Sequence, residues 1–446
     1  MNRKIKYSIA ALFAAIVIGG IVYLNSLMPI ITGYAAKNLG SAVFVSERSQ
    51  KDVEALDLNF SFIRFTKNSV DEVNKTVTSR FLWGKSVAVY REGYGCTLLP
   101  DKKQPQNNLP KLQTAYNPDT IAWPMGNILP EFDTGADLSK LSEIKENLIE
   151  KGRYGGHTFA FVVLYKGVPV MEGYNSGINR DTRLLSWSVA KSFTNALVGT
   201  MVKANQIDLH ASTGLEIWKN DNRRDITVDD LLRMQSGLKW NENYGNRSDV
   251  TVMLHCKNDF AEYAADRPLQ SPTGEEWYYS SGSTNIVNKV MRKKFSNDGD
   301  YYRYAKEQLF DRIGMPRAVF EIDAAGNQVG SSYIYATARD YARFALLYLN
   351  NGNFNNEQIL PEDWVRYSTT ATPDSRGKYG SSFWLNHSKQ LPAAPENMYS
   401  CNGHDGQRIF IFPDRDAAVV ILGYAPKKTN DMDFNALLAD VLGAVP

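Results

Sequence analysis

Thirty consecutive residues, Tyr7 to Ala36, carry no charged side chain, and Arg3, Lys4 and Lys6 stand just ahead of them. The densest part, Ile9 to Leu24, reads IAALFAAIVIGGIVYL. A charge at the centre of a bilayer costs roughly 2.5 to 3.5 kcal/mol on insertion scales, so an uncharged run of this length marks a segment that meets a membrane. A buried core helix is the weaker reading. A cleavable signal has an apolar region of roughly 7 to 15 residues and a small-x-small cleavage site, which Gly33-Tyr34-Ala35 would supply, whereas an anchor needs about 20. The length favours an uncleaved anchor whose helix ends at Pro29. Either way the leading positive charges stay cytoplasmic, and the body is exported to the periplasmic or extracellular side of the cytoplasmic membrane.

The rest of the 446 residues is compositionally ordinary, with 43% hydrophobic and 22% charged residues, which argues against a disordered or polytopic chain. A net charge of +2 removes any general electrostatic case for nucleic acid. The three cysteines, Cys96, Cys256 and Cys401, form no CxxC pair, so neither a metal site nor another cofactor is expected. In an exported protein Cys96 and Cys401 could pair; free buried thiols are the alternative. Nothing in the pattern sets an oligomeric state.

Three stretches follow from the texture. Residues 1–35 form the export segment, 36–145 an accessory region and 146–446 the unit that carries chemistry. The accessory region mixes alternating runs such as SVAVYREGYG with a proline-rich polar stretch, Asp101 to Thr120, that reads as a surface loop. From Asp137 a charged amphipathic helix leads into FAFVVLYKG and VPVMEGYN, a hairpin turning at Lys166-Gly167. SVAKSFTNALVGTMVKANQI is apolar or small around most of a helix and is therefore buried. Further helices start at Thr227, at Thr337 with Asp340 in the capping-box position, and at Pro361. Near the C-terminus RIFIFP and AAVVILGY flank the turn Asp414 to Asp416, and DFNALLADVLG reads as a closing helix. The pattern predicts a mixed α/β chain of the α+β kind: one antiparallel sheet assembled from both ends of the unit, flanked by helices, plus a helical subdomain.

An SxxK tetrad on a helix brings a serine and a lysine onto one face, where the amine can take the hydroxyl proton. At typical frequencies a chain this long holds roughly two by chance. Four are present: Ser142/Lys145, Ser188/Lys191, Ser236/Lys239 and Ser375/Lys378. The first lies among charged residues, and the last two are interrupted by glycine. Only Ser188/Lys191 opens a buried helix, where the hydroxyl feels the helix N-terminus and the lysine can be desolvated. Two further segments could supply a second base and backbone donors: SPTGEEWYYSSGSTN, residues 271–285, and GHDGQRIFIF, residues 403–412.

SxxK, then PxGxxWxYSS, then HxG before a strand resembles the serine β-lactamase and penicillin-binding-protein superfamily in its class C-like branch. SWSVAKSFTNALVG, VDDLLRMQSGLKWNENYG, YATARDYARFALLYLNNG and GHDGQ are most similar to the 6-aminohexanoate-dimer hydrolase and esterase subgroup. The resemblance covers roughly residues 146–445 and implies a β-lactamase/transpeptidase-like fold. It implies Ser188 as acylated nucleophile, Lys191 as its partner and Tyr279 as the tyrosine of the general base, with Tyr278 the neighbouring alternative. His404 takes the place of the Lys-Thr-Gly lysine, and the N–H groups of Ser188 and Gln407 become the oxyanion hole. Ser281, where many members have Asn, and Gly406, Tyr244 and Trp384 are the implied substrate-binding positions. A histidine is mostly neutral at pH 7. The resemblance therefore implies weak carboxylate recognition and hydrolysis of small amides, esters or peptides through an acyl-enzyme. A D,D-peptidase, a β-lactamase, or a non-catalytic membrane-tethered binder of cell-wall peptides are the alternatives. Pocket shape is left to the accessory region and the loop from Asn241 to Val252.

Overall fold

The computed structural model describes residues 3–101, 109–114, 116–131, 133–425 and 432–446, so the expected loop from Asp101 to Thr120 falls partly outside the described residues. Its centre is a six-stranded antiparallel sheet in the order Trp384–Leu385, Tyr399–Asn402, Arg408–Phe412, Ala417–Tyr424, His157–Tyr165, Val168–Tyr174. The adjacent strands Ala417–Tyr424 and His157–Tyr165 come from opposite ends of the unit, Val163 facing Val419, as the two hydrophobic hairpins predict. Both runs are continuously apolar because both faces of the sheet are covered. Ala160, Val162 and Leu164 join Val420 and Leu422 on one face, while Phe161, Val163 and Tyr165 join Val419 and Ile421 on the other.

The second face is closed by Leu138–Ile149 and Phe434–Leu442, which bury Leu141, Ile144, Leu148, Leu437, Leu438 and Val441. Against the first face lies Ala338–Leu349, begun by a capping box between Thr337 and Asp340, and Phe344 stacks on Phe193 of the helix Ala190–Lys203 at 3.8 Å. The inserted helices between the hairpins follow their sequence signals. Thr227 and Asp230 form a second capping box, and the Lys166-Gly167 turn has φ of +49° and +77°, the twist a two-residue hairpin needs. The helix expected from Pro361 begins later, at Trp364.

One expectation is corrected in the N-terminal half. The first helix does not end at Pro29 but runs from Arg3 to Phe44, straight through the expected 35/36 boundary. One lost N–H is outweighed here because the chain beyond it is packed: Met28, Ile31, Ala35 and Leu39 form a core with Val53, Leu58, Ile63 and Val77. The accessory region is a four-stranded antiparallel sheet, Lys67–Asp71, Thr76–Phe81, Gly84–Arg91 and Gly95–Leu98, wrapped on that helix. Cys96 and Cys401 are free, buried thiols. Cys96 packs toward Gly40 of the N-terminal helix and Cys401 sits in the central sheet, so each is enclosed in a different core.

The helix, the accessory sheet and the unit of residues 146–446 meet at one buried ion pair. Lys37 donates to Glu321 and, at 2.9 Å, to Ser41; Glu321 also accepts from Ser41 Oγ at 2.8 Å and from the Cys96 N–H at 2.7 Å. The Lys37 ammonium lies 4.0 Å from the centroid of the Tyr333 ring. Removing one member of a buried pair strands the other charge. Lys37→Met is therefore expected to destabilise the protein by ~3–5 kcal/mol, with Lys37→Met/Glu321→Met nearer to wild type. Urea unfolding followed by tryptophan fluorescence reads this; an unchanged midpoint for the single variant contradicts it.

Candidate active site

Ser188 sits in the one-turn 3-10 segment Trp187–Val189, immediately before the helix Ala190–Lys203. Trp187 holds φ +45°, a region a bulky residue rarely enters. Such strain persists where the surroundings over-determine it. Around the Trp187 ring stand Tyr34 at 6.3 Å, Tyr244 at 6.0 Å, Tyr333 at 6.2 Å and His404 at 5.3 Å between centroids. Tyr34 belongs to the N-terminal helix, so that helix reaches the turn that presents Ser188.

One helical turn on, Lys191 is buried and places Nζ 3.0 Å from Ser188 Oγ, 3.0 Å from Ser281 Oγ and 3.0 Å from the Ser331 carbonyl oxygen. These are three neutral acceptors for a group with three N–H donors. Burial pushes the Lys191 ammonium down to about 8, against the pull of the Glu242 carboxylate, which raises it. Deprotonated, the amine can keep its bonds to Ser281 and Ser331 and turn its lone pair to Ser188. The other SxxK tetrads do not build this arrangement: Ser142 and Lys145 lie on the amphipathic helix Leu138–Ile149, and Ser236/Lys239 and Ser375/Lys378 are not helical.

Tyr279 lies on the far side of Lys191, whose Nζ is 4.9 Å from its ring centroid. Burial first and Glu242 second hold its phenol well above the ordinary tyrosine value, although a hydrogen bond with Ser188 and the nearby Arg408 cation pull the other way. Tyr279 is thus a proton donor in the resting site. Trp384 lines its ring at 5.4 Å, and Tyr379 lies edge-on at 5.8 Å. Tyr278, the neighbouring alternative, is exposed.

Ser281 was expected to meet substrate, but its hydroxyl is fully buried between Lys191 and Glu242, donating to Glu242 Oε1 at 2.5 Å. Glu242 also accepts from the Ser281 N–H at 2.9 Å and from Trp240 Nε1 at 2.5 Å. The chain Lys191, Ser281, Glu242 therefore couples the lysine to a carboxylate through one hydroxyl. Sequence reasoning missed Glu242, and its only signal is an acid in the pocket-forming loop beside Tyr244.

The GHDGQ segment packs beside the turn that carries Ser188. A Cβ on Gly403 would come within 2.5 Å of the Ser186 carbonyl oxygen, so only glycine allows this approach. Gly406, with φ +86°, turns the chain against Ala425. His404 stacks on Tyr244 at 4.8 Å and lies 3.3 Å from Asp405, and it makes no hydrogen bond to Ser188, Lys191 or Tyr279. The Gln407 N–H reaches the His404 carbonyl only at 3.4 Å, a long contact that leaves it available to a stronger acceptor. Its side chain locks the turn to the next strand, donating to the Gly423 carbonyl at 2.6 Å and accepting from the Gly423 N–H at 2.9 Å. Arg408 is the second missed residue. Burial lowers it to about 10, opposed by Tyr279, so a cation persists at neutral pH where the histidine for lysine exchange suggested none.

The beta-lactamase family pattern matches residues 143–443. A 6-aminohexanoate-dimer hydrolase of Paenarthrobacter ureafaciens is 24% identical over 303 residues, 60% of this chain and 73% of that one. A Bacillus anthracis structure provisionally described as a 6-aminohexanoate-dimer hydrolase superposes with a TM-score of 0.56 at 22% identity, over 78% of this chain and 89% of the other. A family VIII carboxylesterase superposes with a TM-score of 0.53 at 15% identity, over 68% and 96%.

The lysine sets a pH dependence with a definite sign. Ser188 reactivity is expected to rise with pH through about 8 as Lys191 loses its proton. Because Glu242 raises that value, Glu242→Gln is expected to move the rising limb to lower pH. The rate of Ser188 labelling by a fluorophosphonate against pH checks both, and an unshifted limb in Glu242→Gln would sever the proposed coupling.

Proposed function

Because the chain belongs to the beta-lactamase family, we propose that it is a serine hydrolase that cleaves a small amide or ester through an acyl-enzyme on Ser188. The contact that carries this reading is Lys191 Nζ at 3.0 Å from Ser188 Oγ at the mouth of a buried helix. In acylation Lys191 takes the Ser188 proton as Oγ attacks the substrate carbonyl. The Ser188 and Gln407 N–H groups receive the oxyanion. Tyr279 gives its hydroxyl proton to the departing amine or alcohol and is reprotonated from Lys191. Water then repeats the sequence on the acyl-enzyme, with the proton returned to Ser188.

The 6-aminohexanoate-dimer hydrolase relative supports a linear amide as the first substrate class to try, and the aromatic wall of Tyr244, Trp384 and Tyr279 suits an extended, weakly charged chain. D,D-peptidase and β-lactamase activities are the enzymatic alternatives. A non-catalytic binder would not need a desolvated lysine against a serine, and that reading gains no support from the site.

The segment Tyr7 to Leu24 supports an uncleaved membrane anchor, with the catalytic unit on the outer side. It is long and apolar enough to cross a bilayer, and its described side chains are exposed. Cleavage after Ala35 would strip Met28 and Ile31 from a packed core and Tyr34 from the wall behind Trp187, which argues against a removable signal.

Ser188→Ala is expected to lose at least ~10³-fold in kcat/KM and the fluorophosphonate adduct together. The assay is a panel of linear amides, short chromogenic esters and D-Ala-D-Ala peptides, with adduct mass mapped to Ser188. Full esterase activity in Ser188→Ala would overturn the assignment.

A further inference from the structure

The point where the N-terminal helix leaves the protein is surrounded by apolar side chains that the fold leaves uncovered. Among its described side chains the helix is exposed through Asn25 and largely buried from Met28. Tyr7 to Leu24 spans roughly 27 Å at 1.5 Å per residue, close to the thickness of a hydrocarbon core. At the end of that span the turn Leu82-Trp83 of the accessory sheet is fixed to the helix. Trp83 Nε1 donates to Asn25 Oδ1 at 3.1 Å, and Ser86 and Thr32 share a hydrogen bond of 2.7 Å. A Cβ on Gly84 would lie 2.8 Å from Met28 Cβ, so the strand sits directly on the helix.

Leu82 and Trp83 are 66% and 57% exposed, and Phe62 and Phe65 beside them 53% and 60%. Phe62 touches Phe81 at 6.2 Å, and Lys67 pairs with Arg80, which brings the chain just before Lys67 against the same turn. Tyr23, 54% exposed on the helix, lies at this level too. Arg64, Arg80 and Lys85 are exposed around these residues, and none of them pairs with a carboxylate among the described residues. Aromatic side chains with cations just outside an apolar span are what the headgroup layer of an anionic bilayer favours.

We infer that Phe62, Phe65, Leu82 and Trp83 form a collar that seats in the outer headgroup layer of an anionic bilayer, so that the catalytic body rests on the membrane rather than swinging from its helix. The inference rests on the anchor reading, and the experiment separates the two. Full-length protein with Cys256→Ser is reconstituted in phosphatidylcholine vesicles with and without phosphatidylglycerol, and an environment-sensitive thiol dye is placed singly at Ile16→Cys, Leu82→Cys or Val73→Cys. Val73 lies beyond the opposite end of the strand Thr76–Phe81, roughly 20 Å from Leu82 at about 3.3 Å per residue.

Brominated lipids are expected to quench the dye at 16 and at 82 and to leave 73 bright. Phosphatidylglycerol is expected to deepen the loss at 82, and Arg80→Glu/Lys85→Glu to abolish that gain. Quenching at 16 with 82 as bright as 73 would overturn the collar while the anchor stands. No quenching at 16 would overturn the anchor and the collar with it. Indifference of position 82 to phosphatidylglycerol would overturn the anionic preference.

Discussion

A lysine ammonium buried without a carboxylate in direct contact is the constraint around which the candidate active site is arranged. Lys191 is held by two hydroxyls and a carbonyl, and its nearest carboxylate, Glu242, stands one serine away. A direct ion pair would fix the charge and raise the value of the amine; complete isolation would make the charged form too costly. One intervening hydroxyl gives an intermediate result, an amine near 8 that can both lose and regain a proton at physiological pH. The fold supplies the desolvation. The helix that carries Lys191 is buried on nearly every face, packed on Phe344 at one side and on the inserted helices at the other.

Lys37 shows the other way a chain can bury a lysine. It pairs directly with Glu321, whose remaining oxygen positions accept from Ser41 and the Cys96 N–H. Lys37 donates two hydrogen bonds and Glu321 accepts three, so this pair serves geometry rather than proton transfer. It ties the N-terminal helix and the accessory sheet to the β-lactamase-family unit. Through Tyr34 the same helix supports Trp187, the strained residue before Ser188. A segment whose composition speaks only of membranes is, in its second half, part of the wall behind Ser188.

Much of this was legible in the chain. The two apolar hairpins gave the central sheet because strands buried on both faces must read as unbroken hydrophobic runs. Thr227 and Thr337 marked helix starts because an unsatisfied helix N-terminus selects a side-chain acceptor. Ser188 stood out from three other SxxK tetrads by the apolar texture around it. Pro29 misled because its local cost is set against packing contributed by Val53, Leu58 and Val77, residues far along the chain. Whether Cys96 and Cys401 pair or stay free buried thiols was open in the chain for a similar reason, since which core encloses each thiol is a tertiary matter. Glu242 and Arg408 were missed because an acid in a loop and an arginine at a strand start look like surface residues until the fold encloses them.

The sequence by itself determined what the local chain must be: an apolar span, strands from both ends of the unit, and a buried helix beginning with serine and lysine. Periodicity, caps and turn chemistry act over a few residues, and those signals survive in one dimension. Only the tertiary structure decided how far Lys191 is desolvated, that Ser281 faces Glu242 rather than an open pocket, and that the N-terminal helix continues into the protein to touch the Ser188 turn. Each of these depends on groups brought together from distant positions, and the energy of a buried charge is set by everything packed around it.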